Sequence, residues 1–232
     1  MKYAYDLHIH TALSPCADED MTPNNIVNMS ILKELDIIAI TDHNSCENAE
    51  AVMKVAKGTD LLVIPGMEIE TSEEIHMVCL FPNIDFANKM QNIVYDNLPK
   101  LKNDKNIFGK QLILDDKDDI VGENEKLLLT ATKLSIYDVV KYTKELKGVS
   151  FPAHIDRKSY SIISNLGWIP KDLDIHTIEV SKYCNIDKII SKYNDFMIIK
   201  SSDAHYLTDI LEREQFIEIK SKSIEEIIKY LS

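Results

Sequence analysis

Residues 36–43 read DIIAITDH, an apolar run from Ile37 to Ile40 that breaks at once into Thr41, Asp42 and His43. Consecutive apolar positions rich in β-branched residues suit a strand buried on both faces. The polar triplet marks where that strand emerges, leaving a carboxylate and an imidazole at its end. As an ordinary turn, the same triplet would use Asp42 only to bind nearby backbone amides. What decides between these readings is whether the pattern recurs.

It does. Strands are expected at Ala4 to His10, Asp36 to Ile40, Leu61 to Pro65, Ile75 to Phe81, Val149 to His154, Thr177 to Ser181, Phe196 to Ser201 and Gln215 to Ile219. Helical patterns alternate with them. Thr22-Pro23 is a cap followed by proline at the first helical position, Gly58 ends the next helix, Ser135 opens another that reaches Gly148, and Ser223 with Glu226 starts the last. This alternation indicates an α/β fold built on a mostly parallel sheet or barrel. About residues 88–132 the charged and turn-forming stretches Lys100 to Lys105 and Asp115 to Asp119 interrupt it, which reads as a helix and hairpin-like insertion within one domain spanning 1–232.

The composition excludes several functions. With 38 acidic against 26 basic side chains the formal net charge is -12, which disfavours a long nonspecific nucleic-acid track or a basic membrane-surface helix. No apolar run approaches membrane-spanning length, and MKYAYDLHIH lacks the apolar stretch of a signal peptide, so a cytoplasmic protein with no membrane partner is expected. Cys16, Cys46, Cys79 and Cys184 are widely spaced and form no CxxC pair, which suits reduced structural thiols. Neither GxGxxG, GxxxxGK[ST] nor GxSxG occurs.

The histidines and acids concentrate at strand ends. His8 and His10 are two apart on the first strand, so alternation points both to one side while Leu7 and Ile9 face the other. His43 follows the second strand. The third runs into Gly66-Met67-Glu68-Ile69-Glu70, where position favours an inward Glu68 and a solvent-facing Glu70. His76 begins IHMVCLF and His154 ends VSFPAH, with Arg157 nearby as a two-point phosphate clamp. FMIIKSSDAH ends on Asp203 and His205, whereas His176 precedes its strand and falls outside the pattern. In a barrel, residues distant in sequence converge at one mouth. Imidazoles and carboxylates without a thiolate pair indicate two or three divalent ions, Zn²⁺, Mn²⁺ or Fe²⁺.

Taken together, DLHIHT (6–11), TDH (41–43), GME (66–68), PAH (152–154) and SSDAH (201–205) resemble the PHP family, the polymerase and histidinol phosphatase superfamily, over nearly the whole chain. The resemblance implies a distorted (β/α)7 TIM-like barrel, so one of the eight expected strands would lie outside the ring. It also implies a trinuclear site: His8, His10, Glu68 and Asp203 on one ion, Glu68, His76 and His154 on a second, His43 and His205 on the third. The family often adds an acidic or histidine ligand from the loop after HxH; here Asp18 is the choice among Asp18, Glu19 and Asp20.

These readings lead to a metal-dependent phosphoesterase acting on a nucleotide, a short oligonucleotide end or a small phosphomonoester. Water activated between metals would attack phosphorus, Asp42 would orient a ligand or the water, and Arg157 would grip a phosphoryl oxygen. An amidohydrolase-like enzyme of amide or lactone bonds, and a noncatalytic metal-stabilised regulatory module, are the alternatives. No general acid and no oligomeric state follow from the sequence.

Overall fold

The expected alternation of strand and helix is present, but the sheet it builds is not mostly parallel. The computed structural model describes residues 1–232, apart from the side chain of Lys188. In chain order the elements are β1 (Lys2–Ile9), α1 (Pro23–Leu32), β2 (Ile37–Ile40), α2 (Ala49–Ala56), β3 (Leu62–Glu70), β4 (His76–Leu80), α3 (Ile84–Asn97), β5 (Leu112–Leu114), β6 (Ile120–Glu123), α4 (Ile136–Glu145), β7 (Val149–Pro152), α5 (Ile162–Leu166), β8 (Thr177–Ser181), α6 (Ile186–Ile190), β9 (Met197–Ser201), β10 (Phe216–Glu218) and α7 (Ile224–Leu231). Each of the eight expected strands is formed, and β5 and β6 pair as a separate antiparallel hairpin.

Local chemistry sets the helix starts. The Thr22 side chain accepts the Asn25 N–H ahead of Pro23, Ser135 and Asp138 form a reciprocal capping box on α4, and Ser223 accepts the Glu226 N–H on α7. Each such cap contributes on the order of 1 kcal/mol.

Six strands form one curled sheet in the order β10-β1-β2-β3-β4-β7, while β8 and β9 pair in parallel. Hydrogen bonds join the two pieces at both seams: Ile155 N–H donates to Glu179 at 2.9 Å, and His10 N–H to the Ala204 carbonyl at 3.0 Å. The result is a distorted barrel of β1, β2, β3, β4, β7, β8 and β9. β10 is the strand outside the ring, because it pairs only with Lys2 to Ala4, at the end of β1 remote from His10.

The departure from parallel order begins at β3. No helix follows it; Thr71–Ile75 turn the chain back, and β4 lies antiparallel to both β3 and β7. The pairing of Glu70 with His76 therefore puts the start of β4, not its downstream end, beside the end of β3. β1 also departs from simple alternation. Its register on β2 shifts between Asp6 and Ile9, and Leu7 packs with Tyr5, Ile37, Ala39 and Ile64 while Ile9 joins the other apolar cluster with Ile38 and Ile40. A bulge rotates the strand between them. Ile217 of β10 and Ile227 and Leu231 of α7 close the inner cluster from below.

The hairpin docks on the barrel through polar contacts. Asp118 accepts from Thr22 Oγ1 at 2.8 Å and from Asn24 N at 3.0 Å, Leu112 N–H reaches the Ala12 carbonyl at 2.9 Å, and buried Asn48 pairs with both Leu112 and Leu114. It thereby backs the loop that follows β1.

Gly66 is the tightest point of the β3 exit: a Cβ there would lie 2.6 Å from the Cys79 carbonyl oxygen and 2.8 Å from the Leu80 side chain. Gly66→Ala is expected to destabilise the protein by about 1–3 kcal/mol, as overpacking against backbone does. An unchanged urea midpoint would show that β3 and β4 can separate without cost.

Candidate metal centre

Burial of Glu68 organises the mouth of the barrel. Its carboxylate is fully buried. Oε1 lies 3.3 Å from His8 Nε2, 2.9 Å from His76 Nδ1 and 3.2 Å from His154 Nε2, and Oε2 lies 3.4 Å from His10 Nε2 and 3.0 Å from His43 Nδ1. Asp203 faces the same space, with Oδ1 3.4 Å from His8 Nε2 and 3.1 Å from His10 Nε2. Asp203 (φ 52°) and His154 (φ 29°) hold left-handed backbone conformations, uncommon for residues with side chains and typical of positions that aim a functional group.

The imidazoles are oriented from behind. His8 Nδ1 donates to Glu179 Oε1 at 2.9 Å, His10 Nδ1 to Ser14 Oγ at 2.9 Å, and His205 Nδ1 to the Asp203 carbonyl at 2.9 Å. Each bond places a proton on Nδ1 and leaves Nε2 as the ring atom turned toward the mouth. Ser14 Oγ in turn donates to Asp42 Oδ1 at 2.7 Å and accepts the His43 N–H at 3.1 Å. Asp42 is fully buried, also takes the Thr11 N–H and hydroxyl at 2.7 and 2.8 Å, and so positions His10 through Ser14.

Charge follows this geometry. Burial alone would raise the Glu68 carboxyl, but His76, His8 and His43 hold it well below the usual carboxylate range. Burial would depress His8, but Glu179, Glu68 and Asp203 raise it well above the ordinary imidazole value. His10 is pushed well below it by burial and by His205 and His43. Desolvation raises the Cys16 thiol, yet His43 and His205 bring it down to about 6.

Three donor groups could each hold a cation: His8, His10, Glu68 and Asp203; His43, Glu68 and His76; and His10, His43 and His205. A cation also answers an unmet need. Glu68 Oε2, Asp203 Oδ1 and His76 Nδ1 are buried without a hydrogen-bond partner, an expensive condition that a bound cation would relieve. The donor set therefore fits two or three divalent ions.

The expected site residues are placed as follows. His8, His10, His43, Glu68, His76, His154, Asp203 and His205 converge, with His154 reaching the cluster through Glu68. Asp18 does not join them. Its Oδ1 is taken by the Asp20 N–H at 2.8 Å, and the loop presents Cys16 instead, with Sγ 3.1 Å from His205 Nε2. Arg157 lies at the mouth, half-exposed, with Nη1 2.5 Å from Asp203 Oδ2. Glu70 is largely buried, not solvent-facing, and its carboxyl is raised by burial to about 7. His176 is exposed, outside the cluster.

Sequence reading passed over Glu179, Ser14 and Cys16. Glu179 had a signal, a carboxylate in the middle of the apolar strand TIEVS, since a buried charge needs a partner. Cys16 was grouped with structural thiols, yet it is solvent-exposed, unlike buried Cys46 and Cys79.

The PHP domain family matches residues 6–222. The 5'-3' exoribonuclease Rnm of Salmonella typhimurium is 38% identical over 89 residues, which are 36% of this chain and 29% of that protein. The chain thus spans under a third of that relative's length. The lesion-specific endonuclease of Pyrococcus furiosus superposes with a TM-score of 0.72 at 20% identity, over 99% of this chain and 55% of its own. A Bifidobacterium adolescentis protein assigned to the metal-dependent phosphoesterases gives a TM-score of 0.63 at 17% identity, over 98% and 96% of the two chains. At these identities the two structures share the fold.

Glu179→Gln should keep the fold and weaken metal binding by roughly 10- to 100-fold, the usual cost of losing the group behind a histidine ligand. A competition titration with a chelating dye measures it; wild-type affinity in the variant would remove Glu179 from the site.

Proposed function

The chain belongs to the PHP domain family, and from that premise we propose that it is a metal-dependent phosphoesterase hydrolysing the phosphate ester of a nucleotide or of a short oligonucleotide end. The observation that carries this reading is the buried Glu68 carboxylate, contacted by five imidazoles and flanked by Asp203, with Oε2 and Asp203 Oδ1 otherwise unpartnered. His8, His10, Glu68 and Asp203 would hold one ion, Glu68, His76 and His154 a second, and His43 and His205 a third. Zn²⁺, Mn²⁺ and Fe²⁺ all suit such donors. Bound there, the ions supply Lewis-acid activation of water and neutralisation of phosphoryl charge.

The chain's own residues supply position. Glu179, Ser14 and the Asp203 carbonyl hold the Nδ1 protons of His8, His10 and His205, keeping three Nε2 atoms turned into the mouth. Asp42 fixes the Thr11–Ser14 turn behind them. Arg157 sits where its guanidinium can exchange part of its contact with Asp203 for a phosphoryl oxygen, a two-point partner.

Substrate size follows from charge. A protein of net charge -12 repels a long polyanion, so attraction is confined to the mouth, and a mononucleotide or chain terminus is the form that reaches it. The exoribonuclease activity of the Rnm relative supports a nucleic-acid end over a sugar or amino-alcohol phosphate. No helix is long and apolar enough to cross a membrane. The exposed thiol of Cys16 suits a reducing compartment, and we place the protein in the cytoplasm.

Phosphate or mononucleotide release from 5'-phosphorylated short RNA and DNA, with phosphomonoesters, an amide and a lactone alongside, tests this function. His8→Ala and Asp203→Ala should each lose more than about 100-fold in turnover, beyond the loss typical of an outer hydrogen-bond partner; full turnover in either variant sinks the assignment. Chelation should abolish activity and lower the thermal midpoint, since an ion at a hundred times its Kd adds about 2.7 kcal/mol to stability. A midpoint indifferent to chelator would mean that the cluster binds no ion in solution.

A further inference from the structure

We propose that Cys16 is a thiolate ligand of the cation held by His43 and His205, making that position a mixed sulfur and nitrogen site. The inference rests on the metal-dependent reading of the cluster and concerns a residue that reading does not use.

The loop after β1 is tied to His205 at two points. Asp18 N–H donates to the His205 carbonyl at 2.9 Å, and Cys16 Sγ lies 3.1 Å from His205 Nε2. Because His205 Nδ1 donates to the Asp203 carbonyl, Nε2 is the ring atom left to face the sulfur. A sulfur and an imidazole nitrogen, both metal-ligand atoms, then face one another with His43 beside them.

The position of Cys16 is enforced. Ser14 N–H donates to the Thr11 carbonyl, Ala17 N–H to the Ser14 carbonyl and Met21 N–H to the Asp18 carbonyl, so Thr11–Met21 is a series of tight turns. Gly109 of the insertion lies so close behind it that a Cβ would come 2.3 Å from the Pro15 carbonyl oxygen. The Asp18 carboxylate accepts the Asp20 N–H in an exposed turn and falls outside the donor groups of the cluster. A second observation points to a ligand independently of the sulfur. His10, His43 and His205 bring one donor nitrogen each within 4.8 Å of one another, a group that could hold a cation without Cys16.

A thiolate changes which ion the position prefers. Sulfur with two imidazoles favours Zn²⁺, Fe²⁺ or Co²⁺ over Mn²⁺ and Mg²⁺, whereas the carboxylate-rich groups around Glu68 and Asp203 are less selective. The cluster would then hold chemically unlike ions.

Co²⁺ loading of the metal-stripped protein tests this without reference to turnover. Wild type should develop a near-ultraviolet sulfur-to-cobalt charge-transfer band as metal is added; Cys16→Ser should lack it, and Cys16→Asp should retain the wild-type cobalt count, by elemental mass spectrometry, without the band. In unmutated protein, alkylation of Cys16 by iodoacetamide should slow at least about tenfold on metal loading, because a coordinated thiolate is no longer a free nucleophile. Half-buried Cys184 serves as the internal reference. Full cobalt loading without the band, or an alkylation rate indifferent to metal, overturns the role of Cys16 and leaves the metal centre standing. Wild type that retains no cobalt overturns both.

Discussion

A carboxylate taken entirely out of water must be compensated, and Glu68 is the group around which this barrel mouth is arranged. An isolated buried charge costs several kcal/mol even after relaxation, so its surroundings must supply positive charge. Five histidines from four strands surround it, of which His8 and His43 are held toward the charged form, while Arg157 pairs the second carboxylate, Asp203. The protein's charge and hydrogen bonds balance around that point. Its unmet valences lie there too, and buried lone pairs without donors are what a cation site looks like from the protein's side.

The antiparallel turn at β3 and β4 serves the same centre. In a strictly alternating barrel, consecutive strands reach the mouth with their downstream ends, and a histidine at the start of a strand would sit at the far side. By reversing direction through Thr71–Ile75, the chain returns His76 to within 2.9 Å of Glu68 and stacks it against Tyr160 at 4.7 Å between ring centroids. Gly66 makes the close pairing of the two strands feasible. The register shift in β1 has a related consequence: Leu7 joins the inner core while His8 and His10 still converge, their Nε2 atoms 3.2 Å apart.

Outside the ring, the insertion and the loop after β1 behave as one support. Asp118, Asn48, Gly109 and Leu112 hold the backbone of residues 11–24 against the barrel. They govern how Ser14 and Cys16 meet His10 and His205. Precision at the mouth is thus shared between rigid strand ends and a loop braced from behind, and the acidic exterior leaves the mouth as the place where an anion is welcome.

Strand ends, helix caps and most of the donor set were legible in the sequence because they obey local rules. An apolar run that stops at Asp-His or His-x-His announces itself, as do Thr22-Pro23 and Ser135 with Asp138. The identity of the ring, the direction of β4, the burial of Glu70 and the positioning of His8 by Glu179 were not legible, because each depends on which strand lies beside which. Asp18 illustrates the limit. By residue type it was the better ligand, but its side chain is turned to the Asp20 N–H, and it is Cys16, on the loop packed at Pro15 against Gly109, that meets His205. Sequence determined which chemistry the chain carries; tertiary structure decided which atoms meet, since contact depends on backbone direction and neighbouring bulk that residue types do not record.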